Sequence, residues 1–100
     1  MQQQNNYVIF KEENALSKKD KLIARLKRVP KDFTIDEADT LLGYLGFLLD
    51  NKGKTSGSRV MYLNEDLNLS ISLHKSHPQK ELKEYQVRQL IAFLESEGLI

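Results

Sequence analysis

The stretch "SRVMYLNEDLNLSISLH", Ser58 to His74, decides the fold. Its second half alternates without a break, with Leu69, Ile71 and Leu73 on one parity and Ser70, Ser72 and His74 on the other. Successive side chains of a strand point to opposite faces, so this segment packs one face and wets the other. "SRVMYL" is a second strand, and the polar "NEDLN" between the two is the connection of an antiparallel hairpin. "FLLDNKG", Phe47 to Gly53, supplies a third, shorter strand ending in a turn-rich segment. An antiparallel sheet with one wet face needs helices on the other.

Helical signals lie on both sides of the strands. "TIDEADTLLGYLGF" opens with Thr34 and carries Glu37 three residues on, the pattern of a capping box. Ile35, Ala38, Leu41, Leu42 and Leu45 follow at helical spacing. Gly46 suits a left-handed cap, after which Phe47 turns back toward the core. Upstream, "SKKDKLIARLKRV" sets Leu22, Ile23, Leu26 and Val29 on one helical face from Ser17 onward, and Pro30 stops it. Downstream, "EYQVRQLIAFLESEGLI" places Val87, Leu90, Ile91 and Leu94 in a stripe, with Gly98 as its cap and Leu99 and Ile100 folding back. The first sixteen residues are polar, interrupted only by "YVIF", and are expected to form a flexible arm. The expected organisation is therefore an arm over 1–16, a basic helix over 17–31 and an α+β domain over 32–100. Its architecture is a sandwich of helices on one face of a three-stranded antiparallel sheet.

One hundred residues suit one domain with a modest core. Without cysteine there is neither a disulfide framework nor a thiolate metal site. No apolar run reaches the length of a membrane span, and the N-terminus lacks the basic start and apolar stretch of a secretory signal. A soluble, cytoplasmic protein without membrane contact is expected. Net charge is only +1, yet it is unevenly spread: residues 1–33 hold eight Lys/Arg against four Asp/Glu, residues 81–100 two against four. Lys52, Lys54 and Arg59 have no acid between them, so a local basic patch is compatible with a nearly neutral chain.

His74 and His77 are the only histidines, both in "SISLHKSHPQKELK". An imidazole titrates near pH 6.5, so the pair suits acid–base work, although wet strand ends also carry histidine with no chemical role. A metal site is not expected, because His-x-x-His here lacks the further ligands that zinc requires. "GKTSGS" has the residue types of a phosphate loop but not its order. The hairpin brings the start of one strand beside the end of the next, so Arg59 and His74 are expected to be neighbours. A cation beside an imidazole, with Lys52 and Lys54 ahead and Lys75, Lys80 and Lys83 behind, suits a phosphodiester better than an uncharged substrate. The plainer alternative for Arg59 is an ion pair with Glu65 or Asp66.

Taken together, "TIDEADTLLGYLGF", "KTSGSRVMYL", "SISLHKSHPQKELK" and "QVRQLIAFLESEGL" resemble the HicA family of toxins from bacterial toxin–antitoxin pairs, over about Asp32 to Ile100. The resemblance implies a double-stranded-RNA-binding-domain-like fold, messenger-RNA endoribonuclease activity and neutralisation by a HicB antitoxin. In that family's usual Gly-Ser-His element the histidine is catalytic. Here Gly57 and Ser58 match, and Arg59 follows. Arginine keeps its proton, so it serves as a phosphate grip or electrophile and not as a base. The resemblance matches the family's second histidine to His74 or His77. The implied mechanism is cofactor-free: His74 or His77 takes the proton of a ribose 2′-hydroxyl while Arg59, with Lys54, stabilises the phosphate. Gly57, Ser58, Lys52, Lys54, Lys75, Lys80 and Lys83 are the expected RNA contacts.

Two other classes of function compete. A catalytically inactive RNA-binding module predicts salt-sensitive binding without cleavage. Against it stands the aromatic inventory, since Tyr62 is the only aromatic in the two better-defined strands. A protein-interaction module, including a homodimer, fits the near-neutral charge and residues 1–31, which the resemblance does not cover.

Overall fold

Helix α2, Ile35–Tyr44, starts where its cap says it should. The Thr34 side chain accepts from the Glu37 N–H at 3.1 Å, and the Glu37 carboxylate accepts from the Thr34 N–H at 2.9 Å. Both orphan donors of the first turn are thereby satisfied, as the capping box predicts. Gly46 ends the helix at φ +95°, and the Phe47 N–H donates back to the Leu42 carbonyl at 2.8 Å. That reversal delivers Phe47 to the core and leads the chain straight into β1, Leu48–Asp50.

The computed structural model describes residues 18–50, 59–75 and 80–100. The expected arm over 1–16 and residue Ser17 lie outside them. Strands β2, Arg59–Asn64, and β3, Leu69–His74, complete a three-stranded antiparallel sheet of order β1-β2-β3. Helix α1 covers residues 18–27 and helix α3 spans Glu84–Ser96. The chain is thus α+β, with three helices and one open antiparallel sheet among the described residues.

The register settles which side of the sheet is dry. Val60 faces Leu73, Tyr62 faces Ile71 and Asn64 faces Leu69, and all six are buried or half-buried. Against them pack Ile35, Ala38, Leu41 and Leu42 of α2, Val87, Leu90 and Leu94 of α3, and Leu26 of α1. Full burial of each such side chain contributes roughly 1.5–3 kcal/mol. All three helices therefore contribute to one core on one face of the sheet, and among the described residues no helix or strand covers the opposite face.

Helix α1 stops earlier than the Ser17–Val29 stripe suggests. The right-handed helical region is disfavoured for a residue before proline. Val29 instead takes φ +53°, and the regular helix ends at residue 27. Leu26 is nonetheless completely buried. Arg25 lies over the Phe33 ring and grips the Glu37 carboxylate with two hydrogen bonds of 2.8 and 3.1 Å. The basic helix is thus bolted to the cap of α2. Beyond β3 the chain returns beside α2, with the Ile35 N–H donating to the Lys80 carbonyl and the Leu82 N–H to the Phe33 carbonyl. Those two bonds bury Leu82 and set the point at which α3 begins. At its far end Gly98 lies at φ +72° and the Leu99 N–H donates to the Leu94 carbonyl, so Leu99 and Ile100 pack on the core as expected.

Candidate functional site

Arg59 opens β2 and His74 closes β3, and the register sets them directly opposite each other. Both are exposed, and both lie on the parity opposite to the core, together with Ser70 and Ser72. The geometry of this pair follows from a glutamine on α3. The His74 N–H donates to Gln86 Oε1, and the His74 carbonyl accepts from Gln86 Nε2 at 2.9 Å. The His74 N–H therefore points away from β2. Arg59 and His74 consequently form a non-hydrogen-bonded cross-strand pair, the type whose side chains stand closer together. The register thus starts the guanidinium-bearing and imidazole-bearing side chains from facing positions on the same side of the sheet.

The ion pair considered for Arg59 is excluded by the same register. Glu65 and Asp66 sit in the turn after Asn64, at the opposite end of the hairpin. At about 3.3 Å per residue that end is some 20 Å away.

The remaining expected site residues divide into two groups. Lys75 is exposed immediately after His74. Lys80 is exposed where the chain returns along α2. Lys83 is the N-cap residue of α3 and lines a surface depression of 480 Å³ with Lys31, Asp32, Glu81, Leu82 and Glu84. Three carboxylates there temper the charge of its two lysines. Lys52, Lys54, Gly57, Ser58 and His77 lie outside the described residues.

Toward the other edge the open face turns apolar. Leu48 faces Leu63 and Asp50 faces Met61 across the β1–β2 ladder. Leu48 is 74% exposed, while Met61 and Leu63 are half-buried. Tyr62 offers nothing to this surface, because it points into the core at 3% exposure. Burial, then the charge and hydrogen bond of Asp39 on α2, push its hydroxyl well above the usual tyrosine range. It is a structural phenol, and no aromatic of the described strand residues is available for base stacking.

Two polar residues that organise this region are absent from the apolar patterning described above. Gln86 is 4% exposed and Asn64 is 4% exposed. Asn64 donates to the Leu45 carbonyl at 3.1 Å and accepts from the Leu67 N–H at 3.0 Å, pinning the hairpin turn to the end of α2. A signal for each was present in the chain. Gln86 stands four residues before Leu90 on the buried stripe, and Asn64 shares parity with Tyr62. A polar residue at a core-facing position is an anchor when its hydrogen bonds are satisfied.

No helix among the described residues is long and apolar enough to cross a membrane. The chain matches no protein-family model, no curated protein and no solved structure.

Proposed function

We propose that the open face of the sheet acts on RNA, and that the chain is a HicA-like toxin: a metal-independent messenger-RNA endoribonuclease of the cytoplasm, held in check by a HicB-like antitoxin. The observation that carries this reading is the direct Arg59–His74 pairing on an exposed sheet face. The α+β arrangement of helices over a three-stranded antiparallel sheet supports it, and on this reading the fold is double-stranded-RNA-binding-domain-like.

The chemistry follows from the pair. The His74 imidazole removes the proton of a ribose 2′-hydroxyl, and the 2′-oxygen attacks the adjacent phosphorus. The bond to the 5′-oxygen breaks, leaving a 2′,3′-cyclic phosphate and a 5′-hydroxyl that takes its proton from water. Arg59, permanently charged, donates to the phosphate oxygens as negative charge builds on them. Lys75 extends the positive edge along the RNA backbone, and Lys52, Lys54, Lys80 and Lys83 are the further phosphate contacts of this reading. His77 is the second acid–base candidate.

Inducible expression in bacteria tests the proposal, with wild type beside Arg59→Ala, His74→Ala and His77→Ala and with growth and total messenger RNA followed. Growth arrest with RNA decay in the wild type, lost on removing Arg59 and His74, is the expected outcome. Normal growth and intact RNA from the wild type would reject the nuclease.

A second reading is favoured by Leu48, Met61 and Leu63, which place an apolar strip on the same face. Such a strip suits a protein partner more than a nucleic acid. On this reading the chain binds its antitoxin or another protein through the open face without cutting RNA.

A further inference from the structure

We propose that Gln86 is the positioning residue of the candidate site: its amide takes the place of a fourth strand at the end of β3 and holds His74 opposite Arg59. The inference rests on the nuclease reading for its catalytic consequence, but its structural part stands on the geometry alone.

The argument begins with the topology. Among the described residues β3 is an edge strand, so alternate N–H and C=O groups along it have no strand partner there on the outer side. At the last residue of β3, where the chain is about to leave the sheet, a strand end ordinarily frays. Here both outward groups of His74 are taken by one side chain, which accepts from the N–H and donates to the carbonyl. A primary amide is the neutral side-chain group that combines a donor and an acceptor in the geometry of a peptide unit. Glutamate offers only acceptors at neutral pH, and asparagine is one methylene shorter.

Gln86 is itself immobilised. It sits in the first turn of α3, is 4% exposed, and is followed by the completely buried Val87. Its side chain therefore reaches His74 from the packed helix–sheet side through partly buried hydrogen bonds, although the imidazole they serve lies on the wet face. A buried amide on the helix side thus sets the backbone of an exposed residue on the other side of the sheet. Because His74 pairs with Arg59 only at the final rung, losing this clamp releases that rung first, while Met61–Ser72 and Tyr62–Ile71 remain zipped. Displacement of a reacting group by about 1 Å can cost on the order of 100-fold in rate.

The experiment uses the full chain and the variants Gln86→Met, Gln86→Glu and, as a control on the exposed side of α3, Gln89→Met. Two readouts are taken where each variant is folded: the cross-strand Hα–Hα NOE between Arg59 and His74 with exchange of the His74 amide, and RNA cleavage resolved into kcat and KM. Gln86→Met is expected to abolish the NOE and expose the His74 amide, with the Met61–Ser72 NOE intact. Its kcat falls roughly tenfold or more while KM stays within about twofold. Gln86→Glu, which keeps the acceptor and loses the donor, falls between wild type and Gln86→Met and supplies the test if Gln86→Met does not fold. Gln89→Met behaves as wild type. An unchanged NOE and protected His74 amide in the folded Gln86 variants overturn the clamp, whatever RNA does. A lost NOE with unchanged kcat overturns the positioning role. A wild-type protein that cuts no RNA overturns the nuclease reading and the catalytic consequence together, while the NOE and exchange still decide the clamp.

Discussion

A side chain on Gly46 would begin 3.0 Å from the Nδ2 of Asn64, closer than neighbouring atoms tolerate without shifting. The same Asn64 amide is already committed to the Leu45 carbonyl at 3.1 Å. The turn out of α2 and the hairpin tip are thus built against each other, with glycine required for both its φ of +95° and its missing Cβ. Gly46→Ala is expected to cost about 1–2 kcal/mol through the left-handed conformation alone, and more if Asn64 is displaced. Urea unfolding measures this as a lower midpoint with an unchanged m-value. A neutral result would mean that the close approach is relieved at no cost.

Asn64→Ala leaves the Leu45 carbonyl and the Leu67 N–H without their partner, and is expected to destabilise by about 1–3 kcal/mol. It also removes the atom that Gly46→Ala would strike. The double variant should therefore be more stable than the sum of the two singles predicts, by about 0.5 kcal/mol or more. Strict additivity in a double-mutant cycle would count against the contact.

Glu37 gives the fold its acid sensitivity. The Arg25 hydrogen bonds hold its carboxyl below the ordinary value of 4.5, with burial opposing and the Thr34 N–H assisting. A depressed carboxyl contributes stability that is fully present above the unfolded value and is lost as pH falls through the folded one. Glu37→Gln should cost about 1 kcal/mol at neutral pH, as expected for a weakened cap. Its gap from wild type should narrow as pH falls through the acid window below the ordinary carboxyl value of 4.5. A gap that stays constant over that window would show that the charge of Glu37 is not what matters.

Tyr62 sets the opposite limit. Its hydroxyl is raised from 10.0 by burial and by Asp39, so its contribution is complete below that value and declines as pH rises above it. In an absorbance titration Tyr62 should ionise in a late alkaline phase that accompanies unfolding. Tyr62→Phe should remove that late phase and cost about 1 kcal/mol near neutrality.

Leu26 tests whether α1 belongs to the fold. Its side chain is completely buried, so Leu26→Ala is expected to cost about 2–5 kcal/mol. An effect below about 0.5 kcal/mol would mean that α1 is an appendage whose docking contributes little.

Much of this architecture could be read from local pattern. The Thr34–Glu37 capping box, the left-handed Gly46 and the reversal to Phe47 all involve groups within a few residues of one another, where spacing alone dictates geometry. The strict alternation in β3 set its register with β2, because a slip of one residue would turn Leu69, Ile71 and Leu73 to water. From that register the Arg59–His74 pairing followed directly. The end of α1 was less legible, since the restriction that Pro30 places on Val29 acts before the proline itself.

The supports of the site were not legible in the same way. Gln86 and His74 are twelve residues apart, and Asn64 and Leu45 nineteen, and no local pattern records which amide meets which carbonyl. Their positions in the apolar stripes showed only that they face inward. Nor did composition reveal that Tyr62 would be withdrawn to Asp39, or that Arg25 would bind α1 to the cap of α2. The chain by itself determined its elements, their faces and the rung that joins Arg59 to His74, because these follow from periodicity and near-neighbour hydrogen bonding. Only the tertiary structure decided how that rung is held, because a buried amide finds its partner through packing and not through sequence distance.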